Sequence, residues 1–340
     1  MRHYPLLSSV RLGALVVLLA LPSGCAERGP APPPATGPTV RFAYQDRVAD
    51  AASIIAVERG FFRDEGLDVK PFVFSSGPAC SETLLSGGAD IGTMGDTTAV
   101  IAVARSPVTI IASHGGGEHR HRIVVAENSA IRSPGDLIGK RLAVKKGTST
   151  YGGLLAWAGA VDLDLTRVKV TEMRPEDMGD ALISGAVDAI VASEPTPSII
   201  EERGGRELAT LGGLGNTYPI LLVGRNDFLA SQPQTATAFL RAMRRAARFI
   251  YDHPDRAADI IAAKSGLSSE VAARAMAHHY YTLQLDQNTR ASLDEIVDFL
   301  LAQDVLDEAP DFSQRIDDTF LRAANDSSGQ FQGQAKEIAP

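Results

Sequence analysis

The amino-acid sequence predicts a layered α/β fold. Short runs of β-branched and aliphatic residues alternate with segments of helical periodicity between Val40 and Gly224, which is the pattern of strands that alternate with helices. From Gln232 onward the apolar residues recur at helical spacing only. A chain of 340 residues is also long enough to divide into more than one lobe, each with its own core.

The predicted elements form two series and a helical end. In the first series, short apolar runs predict strands at 40–44, 67–74, 89–94 and 108–113, and helical spacing predicts helices at 51–61, 81–86 and 97–104. The second series has helices between strands predicted at 123–126, 141–144, 168–172, 189–192 and 220–224. The final part of the chain predicts helices at 235–251, 256–263, 269–280, 291–302 and 312–324.

The first 25 residues predict export. Two arginines precede the apolar stretch Leu12–Leu21, which is half the roughly 20 apolar residues that span a bilayer, and small residues stand directly before Cys25. The pattern resembles a bacterial lipobox after a signal peptide of residues 1–24, except that Pro22 stands where the motif favours Leu. We expect a periplasmic or extracytoplasmic protein that a lipid on Cys25 anchors to the membrane. Ordinary cleavage nearby is the alternative.

Charge and cysteine content restrict the partners. The net charge is −8, and it becomes −10 without residues 1–24, which hold two arginines and no acid. Nucleic acid is therefore not an expected partner, and a small solute or a protein is. With only Cys25 and Cys80 the chain has no disulfide framework. The Pro-rich residues 25–39 predict a tether, and the polar residues 325–340 predict a disordered tail.

Five motifs follow one another in the order of a known family. They are GFFRDEGLDV at 60–69, GGADIGTMGDTTAVIA at 87–102, SPGDLIGKRLAVKKGTS at 133–149, SGAVDAIVASEP at 184–195 and DFLASQP at 227–233. The chain resembles, from Val40 to Ala324, the substrate-binding components of nitrate/sulfonate/taurine-type ABC importers, within the thiamine-pyrimidine-synthase-like superfamily. The resemblance therefore covers nearly all of the chain after the tether.

The resemblance implies a two-lobed periplasmic-binding-protein fold of type II topology. Two chain crossings would join the lobes, near 118–122 and 218–225. The first lobe would comprise residues 40–120 and 225–324, and the second residues 121–224.

The resemblance also implies the activity. A monomer without a cofactor would capture a small anionic or zwitterionic solute by lobe closure and deliver it to membrane permease subunits. A sensor subunit that presents ligand to a receptor is one alternative. An enzyme of the same fold is another, but the cysteine-rich motif of the pyrimidine synthases is absent, since Cys80 stands alone.

Two strand-to-helix turns are candidate anion sites. In α/β sheets ligands bind beyond the carboxyl ends of strands, where helix N-termini offer free N–H groups. The first turn precedes the helix at 97–104, and the second follows the strand at 141–144. Simple helix capping is the alternative role for each hydroxyl. The candidates are Asp96, Thr97, Thr98, Thr148, Ser149, Thr150 and Tyr151.

The stretch 114–122 (HGGGEHRHR) lies at the first crossing. If it is extended, His119 and His121 share one face, and Arg120 and Arg122 share the other. A guanidinium suits a carboxylate, sulfonate or phosphate, so we expect Arg120 to hold the anion. The histidines and Glu118 also permit a metal site, although the arginines oppose a cation, and a solvated basic loop is the remaining alternative.

The other candidates would complete the lining of the site. Glu194 follows a strand. Related importers with amine-bearing ligands such as taurine place a carboxylate at this turn, where it can meet an ammonium group. The alternative is that Glu194 pairs with a nearby arginine. Asp96 is the second candidate for an ammonium. Gln45 follows the first strand, and Thr217 and Tyr218 lie at the return crossing. The pair His278-His279 is predicted within a helix and receives no function.

Overall fold

A computed structural model describes residues 37–326. The predicted signal peptide, Cys25, the tether up to residue 36 and the tail beyond residue 326 lie outside this range. Its strands are β1 (Thr39–Gln45), β2 (Asp68–Phe74), β3 (Ile91–Gly95), β4 (Val108–Gly115), β5 (His121–Ala126), β6 (Arg141–Val144), β7 (Lys169–Glu172), β8 (Ala189–Ser193), β9 (Gly205–Thr210) and β10 (Ile220–Arg225).

Helices cover the faces of these strands. They are α1 (Ala51–Glu58), α2 (Phe61–Asp64), α3 (Gly77–Leu85), α4 (Asp96–Arg105), α5 (Ser149–Ala160), α6 (Pro175–Ile183), α7 (Thr196–Glu202), α8 (Asn226–Ser231), α9 (Pro233–Asp252), α10 (Pro254–Ser265), α11 (Ser269–Ala277), α12 (Gln287–Ala302), α13 (Phe312–Arg315) and α14 (Thr319–Asp326). None of the helices within residues 37–326 is both long and apolar enough to cross a membrane.

The strands form two sheets of the same topology. The first has the order β2-β1-β3-β10-β4, and the second has the order β7-β6-β8-β5-β9. In each sheet three parallel strands are followed by one antiparallel strand, β10 or β5, which enters from the other lobe. Two sheets that exchange strands in this way define the type II two-lobed fold, so the predicted fold class is confirmed.

Strand β10 was predicted in the second lobe but lies in the first. The strand at 220–224 was expected to close the second series, but β10 pairs with β3 and β4 of the first sheet. The return crossing therefore lies before residue 220 rather than within 218–225. The second lobe, predicted to end at residue 224, therefore ends before β10. Central strands of both sheets are similarly apolar, so composition does not assign a strand to a sheet.

Strand β9 is absent from the prediction. Its sequence GRELAT is polar and only partly buried, because it lies at the edge of the second sheet beside β5. Edge strands carry charged residues that blunt further pairing, and such strands show no strong apolar pattern. Its presence completes the second sheet and places Glu207 next to β5.

Apolar contacts hold each lobe together. In the first lobe, Phe42 and Phe239 of β1 and α9 are fully buried against each other, and a second cluster joins β3, β4 and α12 on the other face of the sheet. In the second lobe the faces of β5, β6 and β8 are covered by α5 on one side and by α6 and α7 on the other. The C-terminal helices thus complete the first lobe.

The glycine-rich crossing has a structural reason. The segment after α11 pairs with it through two backbone hydrogen bonds between Gly116 and Tyr280, of 2.9 and 3.1 Å. A Cβ on Gly117 would lie 2.2 Å from the carbonyl oxygen of His278, and one on Gly116 would lie 2.6 Å from that of Thr217. Only glycine permits this approach. The predicted helix at 269–280 accordingly ends at Ala277, and the residues after it run beside the crossing.

Candidate ligand-binding site

The two predicted helix starts meet each other directly. Asp96 begins α4 in the first lobe, and its Oδ1 accepts hydrogen bonds from the backbone N–H of Thr97 and from the hydroxyl of Ser149, the first residue of α5 in the second lobe. The hydroxyls of Thr97 and Ser149 are 2.9 Å apart. Asp96 is fully buried, and its Oδ2 has no hydrogen-bond partner. Both lobes therefore contribute to one polar site.

Arg120 lies in this site as a buried cation. It is only 3% exposed, and its guanidinium donates to the hydroxyl of Ser193 at 2.8 Å and to the carbonyl of Tyr218 at 3.4 Å. Among residues 37–326 no carboxylate lies within 4.0 Å of it, and its Nε has no partner. Burial lowers the pKa of Arg120 to about 10, although the charge of Asp96 opposes this change.

His121 and Tyr218 form one wall of the site. The two rings meet edge to face with centroids 4.4 Å apart, and the guanidinium of Arg120 lies 5.8 Å from the Tyr218 ring. His121 Nδ1 shares a hydrogen bond of 2.8 Å with the hydroxyl of Thr150, while its Nε2 has no partner. Burial and the charge of Arg120 lower the pKa of His121 well below its ordinary value. The imidazole is therefore neutral.

The extended arrangement predicted for 118–122 does not form. Residues Glu118–Arg120 make a 3-10 turn, and β5 begins at His121. His121 and Arg120 therefore face the same site, whereas His119 turns away and its Nδ1 meets the hydroxyl of Thr210 at 2.8 Å. The predicted pairing of His119 with His121 on one face is wrong.

The sequence leaves two roles open for Glu194, binding of an ammonium group and pairing with an arginine. In the structure Glu194 pairs with an arginine. Its carboxylate accepts a hydrogen bond of 2.6 Å from Arg122, which also pairs with Glu201 and Glu207. Burial disfavours the charge of Arg122, but these three carboxylates hold its pKa above the ordinary value. Glu194 is thus already neutralised by a partner, and Asp96 remains the carboxylate available to a ligand.

Other predicted residues have partners outside the site. The Thr148 hydroxyl donates to the carbonyl of Lys145 at 2.7 Å, Thr217 bonds to Ser292, and Tyr151 packs on the core of the second lobe. Gln45 and Thr98 lie together on the first lobe, since a Cβ built on Gly77 would be 3.8 Å from the amide of Gln45 and 3.4 Å from the hydroxyl of Thr98. The Gln45 amide nitrogen is buried without a partner.

Two further histidines are buried among charged groups. His279 is buried, and the charge of Arg120 helps burial to lower its pKa to about 3. In the first lobe His114 is also fully buried, 3.9 Å from the carboxylate of Asp50, which pairs with Arg47. Their surroundings come from chain segments that meet only in the fold, so the local sequence does not predict these contacts.

The metal alternative for 114–122 finds no support in the described residues. His114 faces Asp50, His119 faces Thr210 and His121 faces Thr150. Within residues 37–326 no group of three or more His, Cys, Asp or Glu side chains could hold a metal ion.

Comparison with known proteins finds relatives of the whole chain. The profile of the family described as "NMT1/THI5 like" matches residues 50–257. The "Putative aliphatic sulfonates-binding protein" of Bacillus subtilis is 26% identical over 318 residues, which are 91% of this chain and 95% of that protein. The taurine-binding periplasmic protein of Escherichia coli is 26% identical over 221 residues, which are 64% of this chain and 68% of that protein.

Solved structures share the fold. The periplasmic aliphatic sulphonate binding protein SsuA of Escherichia coli superposes with a TM-score of 0.74 at 21% identity, covering 89% of this chain and 96% of SsuA. The desulfurization enzyme DszB superposes with a TM-score of 0.67 at 16% identity, covering 85% of this chain and 99% of the enzyme. The same architecture therefore serves both binding proteins and an enzyme.

We expect the buried histidines to make stability depend on pH. Burial lowers the pKa of His114 to about 4, with the charge of Asp50 opposing the change, whereas an unfolded imidazole titrates near 6.5. Between these values the unfolded chain binds the extra proton, so stability is complete above about pH 6.5 and falls as the pH is lowered, by about 1.4 kcal/mol per unit for each such histidine.

Melting curves of the wild type and of His114→Leu between pH 7.5 and pH 5 test this expectation. The variant should lose less stability on acidification, by about 2 kcal/mol at pH 5. Identical pH dependence of the two proteins would show that folding leaves the pKa of His114 near its unfolded value.

Proposed function

Since the chain belongs to the NMT1/THI5-like family, we propose that it is the extracytoplasmic solute-binding component of an ABC importer. It captures a small anionic or zwitterionic solute of the sulfonate, taurine or nitrate class between its lobes and delivers it to a permease. The buried guanidinium of Arg120, which has no carboxylate partner in the described chain, carries this proposal. A buried charge is tolerable only if it is paired and hydrogen-bonded, and an anionic ligand supplies that pair.

The groups around Arg120 suit a sulfonate or a similar oxyanion. The N-terminus of α5 contributes the positive end of its dipole, and the hydroxyls of Ser149 and Thr97 can donate to ligand oxygens in place of their present partners. Asp96 adds a buried carboxylate whose Oδ2 is free for a cationic end of the ligand. Relatives named for aliphatic sulfonates and for taurine support the same ligand class.

Binding without catalysis is part of the proposal, because the cysteine of the described chain lies in the core of the first lobe. Cys80 is the cysteine of residues 37–326, and it is fully buried in the core of the first lobe. Burial raises the pKa of its thiol to about 12, so the thiol stays protonated. The likeness to a desulfurization enzyme is one of fold alone.

Calorimetric titration of Arg120→Ala tests the function. Ethanesulfonate, taurine and nitrate are titrated into the wild type, and the best ligand into the variant. Truncation leaves the bound anion without its charged partner, a loss on the order of 2 to 5 kcal/mol. Arg174→Ala, which removes an exposed arginine of the second lobe, is the matched control and should bind like the wild type. Equal affinities of Arg120→Ala and the wild type would remove Arg120 from the site.

Lobe closure is the second part of the proposal. With β10 assigned to the first sheet, lobe 1 comprises residues 40–120 and 220–324, and lobe 2 comprises residues 121–219. Ligand that bridges Arg120 and α5 favours the closed arrangement, in which Asp96 and Ser149 are joined. Small-angle scattering should therefore give a smaller radius of gyration with bound ligand. Superimposable curves with and without a ligand known to bind would contradict closure.

Membrane anchoring is the third part, and it rests on the sequence. A lipid on Cys25 followed by a Pro-rich tether would hold the binding domain near a permease. We expect Cys25→Ser to move the protein from the membrane fraction to the soluble extracytoplasmic fraction. Retention of the variant in the membrane would overturn this assignment. So would a mature N-terminus that carries no lipid and begins at a residue other than Cys25.

A further inference from the structure

One face of helix α12 follows the junction between the two lobes. Ser292 Oγ accepts a hydrogen bond of 2.9 Å from the backbone N–H of Thr217, in the return crossing. Glu295 accepts a hydrogen bond of 2.9 Å from the side-chain amide of Asn216 in the same crossing. Phe299 lies one turn further along this face, because residues three and four apart on a helix are neighbours.

The ring of Phe299 packs on the second lobe at Gly152, in the first turn of α5. A Cβ built on Gly152 would lie 3.5 Å from each of three carbon atoms of the ring. That is an ordinary van der Waals distance, so the ring covers the backbone of α5 directly. A longer side chain at Gly152 would have to displace the ring.

The opposite face of α12 is buried in the core of the first lobe together with α4. The residues that share this cluster are Leu293, Ile296 and Leu300 of α12 and Val100 and Val103 of α4. Asp96 begins α4 and accepts a hydrogen bond from Ser149, the first residue of α5. The first lobe therefore contacts the first turn of α5 at two points, a polar one at Asp96 and an apolar one at Phe299.

The contacts between the lobes at α11 and α7 are polar and longer. Ser268 Oγ lies 3.4 Å from Oε1 of Glu202, and His278 Nε2 lies 3.8 Å from the carboxylate of Glu194. Both distances exceed the usual hydrogen-bond range. The packing of Phe299 on Gly152 is therefore the closer contact between the lobes.

We propose that Phe299 is a positioning residue for ligand binding, which packs on Gly152 to stabilise the closed arrangement and raises the affinity for the ligand without touching it. The inference rests on the lobe closure of the proposed function and names a contact that stabilises it. Apolar contact is favourable in proportion to the area removed from water. When a contact populates the binding-competent state, the apparent affinity rises in the same proportion.

Variants on both sides of the contact test the proposal. Phe299→Ala removes the ring, and Phe299→Leu keeps an apolar side chain over Gly152. Phe312→Ala is the matched control, because Phe312 packs half-buried against the same core cluster from α13, beside β4. In the second lobe, Gly152→Leu should displace the ring. Its control is Gly159→Leu on the same helix, where no atom lies within 4 Å of an added Cβ.

The experiment is calorimetric titration of all six proteins with ethanesulfonate and with taurine, together with binding kinetics, small-angle scattering and a melting curve of each free protein. Phe299→Ala should bind both ligands about tenfold more weakly than the wild type, through faster dissociation at an unchanged association rate. Gly152→Leu should weaken both ligands in the same way, and Phe299→Leu should recover part of the affinity. Phe312→Ala should melt earlier but bind like the wild type, as should Gly159→Leu.

Wild-type affinity in Phe299→Ala would overturn the inference. An equal loss of affinity in Phe299→Ala and Phe312→Ala would overturn it too, since it would show a general effect of the core. A loss confined to one of the two ligands would place the ring in contact with the ligand and contradict a positioning role.

The same data separate this inference from the proposed function. Superimposable scattering curves of the free and bound wild type would refute closure itself, whereas closure with unchanged affinity in Phe299→Ala refutes this inference only. Failure of the wild type to bind either sulfonate would refute the proposed ligand class. The free proteins then decide the inference: a larger radius of gyration in Phe299→Ala than in the wild type and Phe312→Ala would support it, and an unchanged radius would overturn it.

Discussion

A guanidinium buried without a carboxylate partner is the constraint on which the binding site depends. Arg120 and Arg122 are both almost fully buried, with exposed fractions of 3% and 4%. Three glutamates neutralise Arg122, so its role is complete within the protein. Arg120 has only neutral hydrogen-bond partners. Because ions are stable in a protein interior only when they are paired, we propose that Arg120 takes its counter-charge from a bound anion.

Close backbone contacts surround the crossing that carries Arg120. Gly116 and Gly117 allow the segment at Tyr280 to lie against the crossing, because any side chain there would collide with backbone. That contact joins the segment after α11 to the crossing that carries Arg120. Asp96 joins α4 to Ser149 of the second lobe. Packing, backbone approach and charge therefore all act on the small volume between the two sheets.

Local patterns predicted the parts of the site that depend on neighbouring residues. The strand-to-helix turns indicated Asp96 and Ser149, and the fold brings these side chains into hydrogen-bond contact, since loops at the carboxyl ends of strands converge in this fold. Glu194 and Arg122 are distant in the sequence. Because their pairing depends on the fold, the sequence left two roles open for Glu194. The burial of His279 depends on where α11 ends, at Ala277, and on the backbone contact of the next residue with Gly116, and the sequence shows neither. Periodicity describes helices and strands, but it does not show which segments meet.

A crystal structure of the protein with ethanesulfonate tests the central claim most directly, since it shows the position of the anion itself. The account predicts a sulfonate oxygen at about 2.7–2.9 Å from Nε of Arg120, as in other charge-assisted hydrogen bonds, with further oxygens at the N-terminus of α5. A well-ordered sulfonate bound elsewhere, with Nε of Arg120 still without a partner, would contradict it.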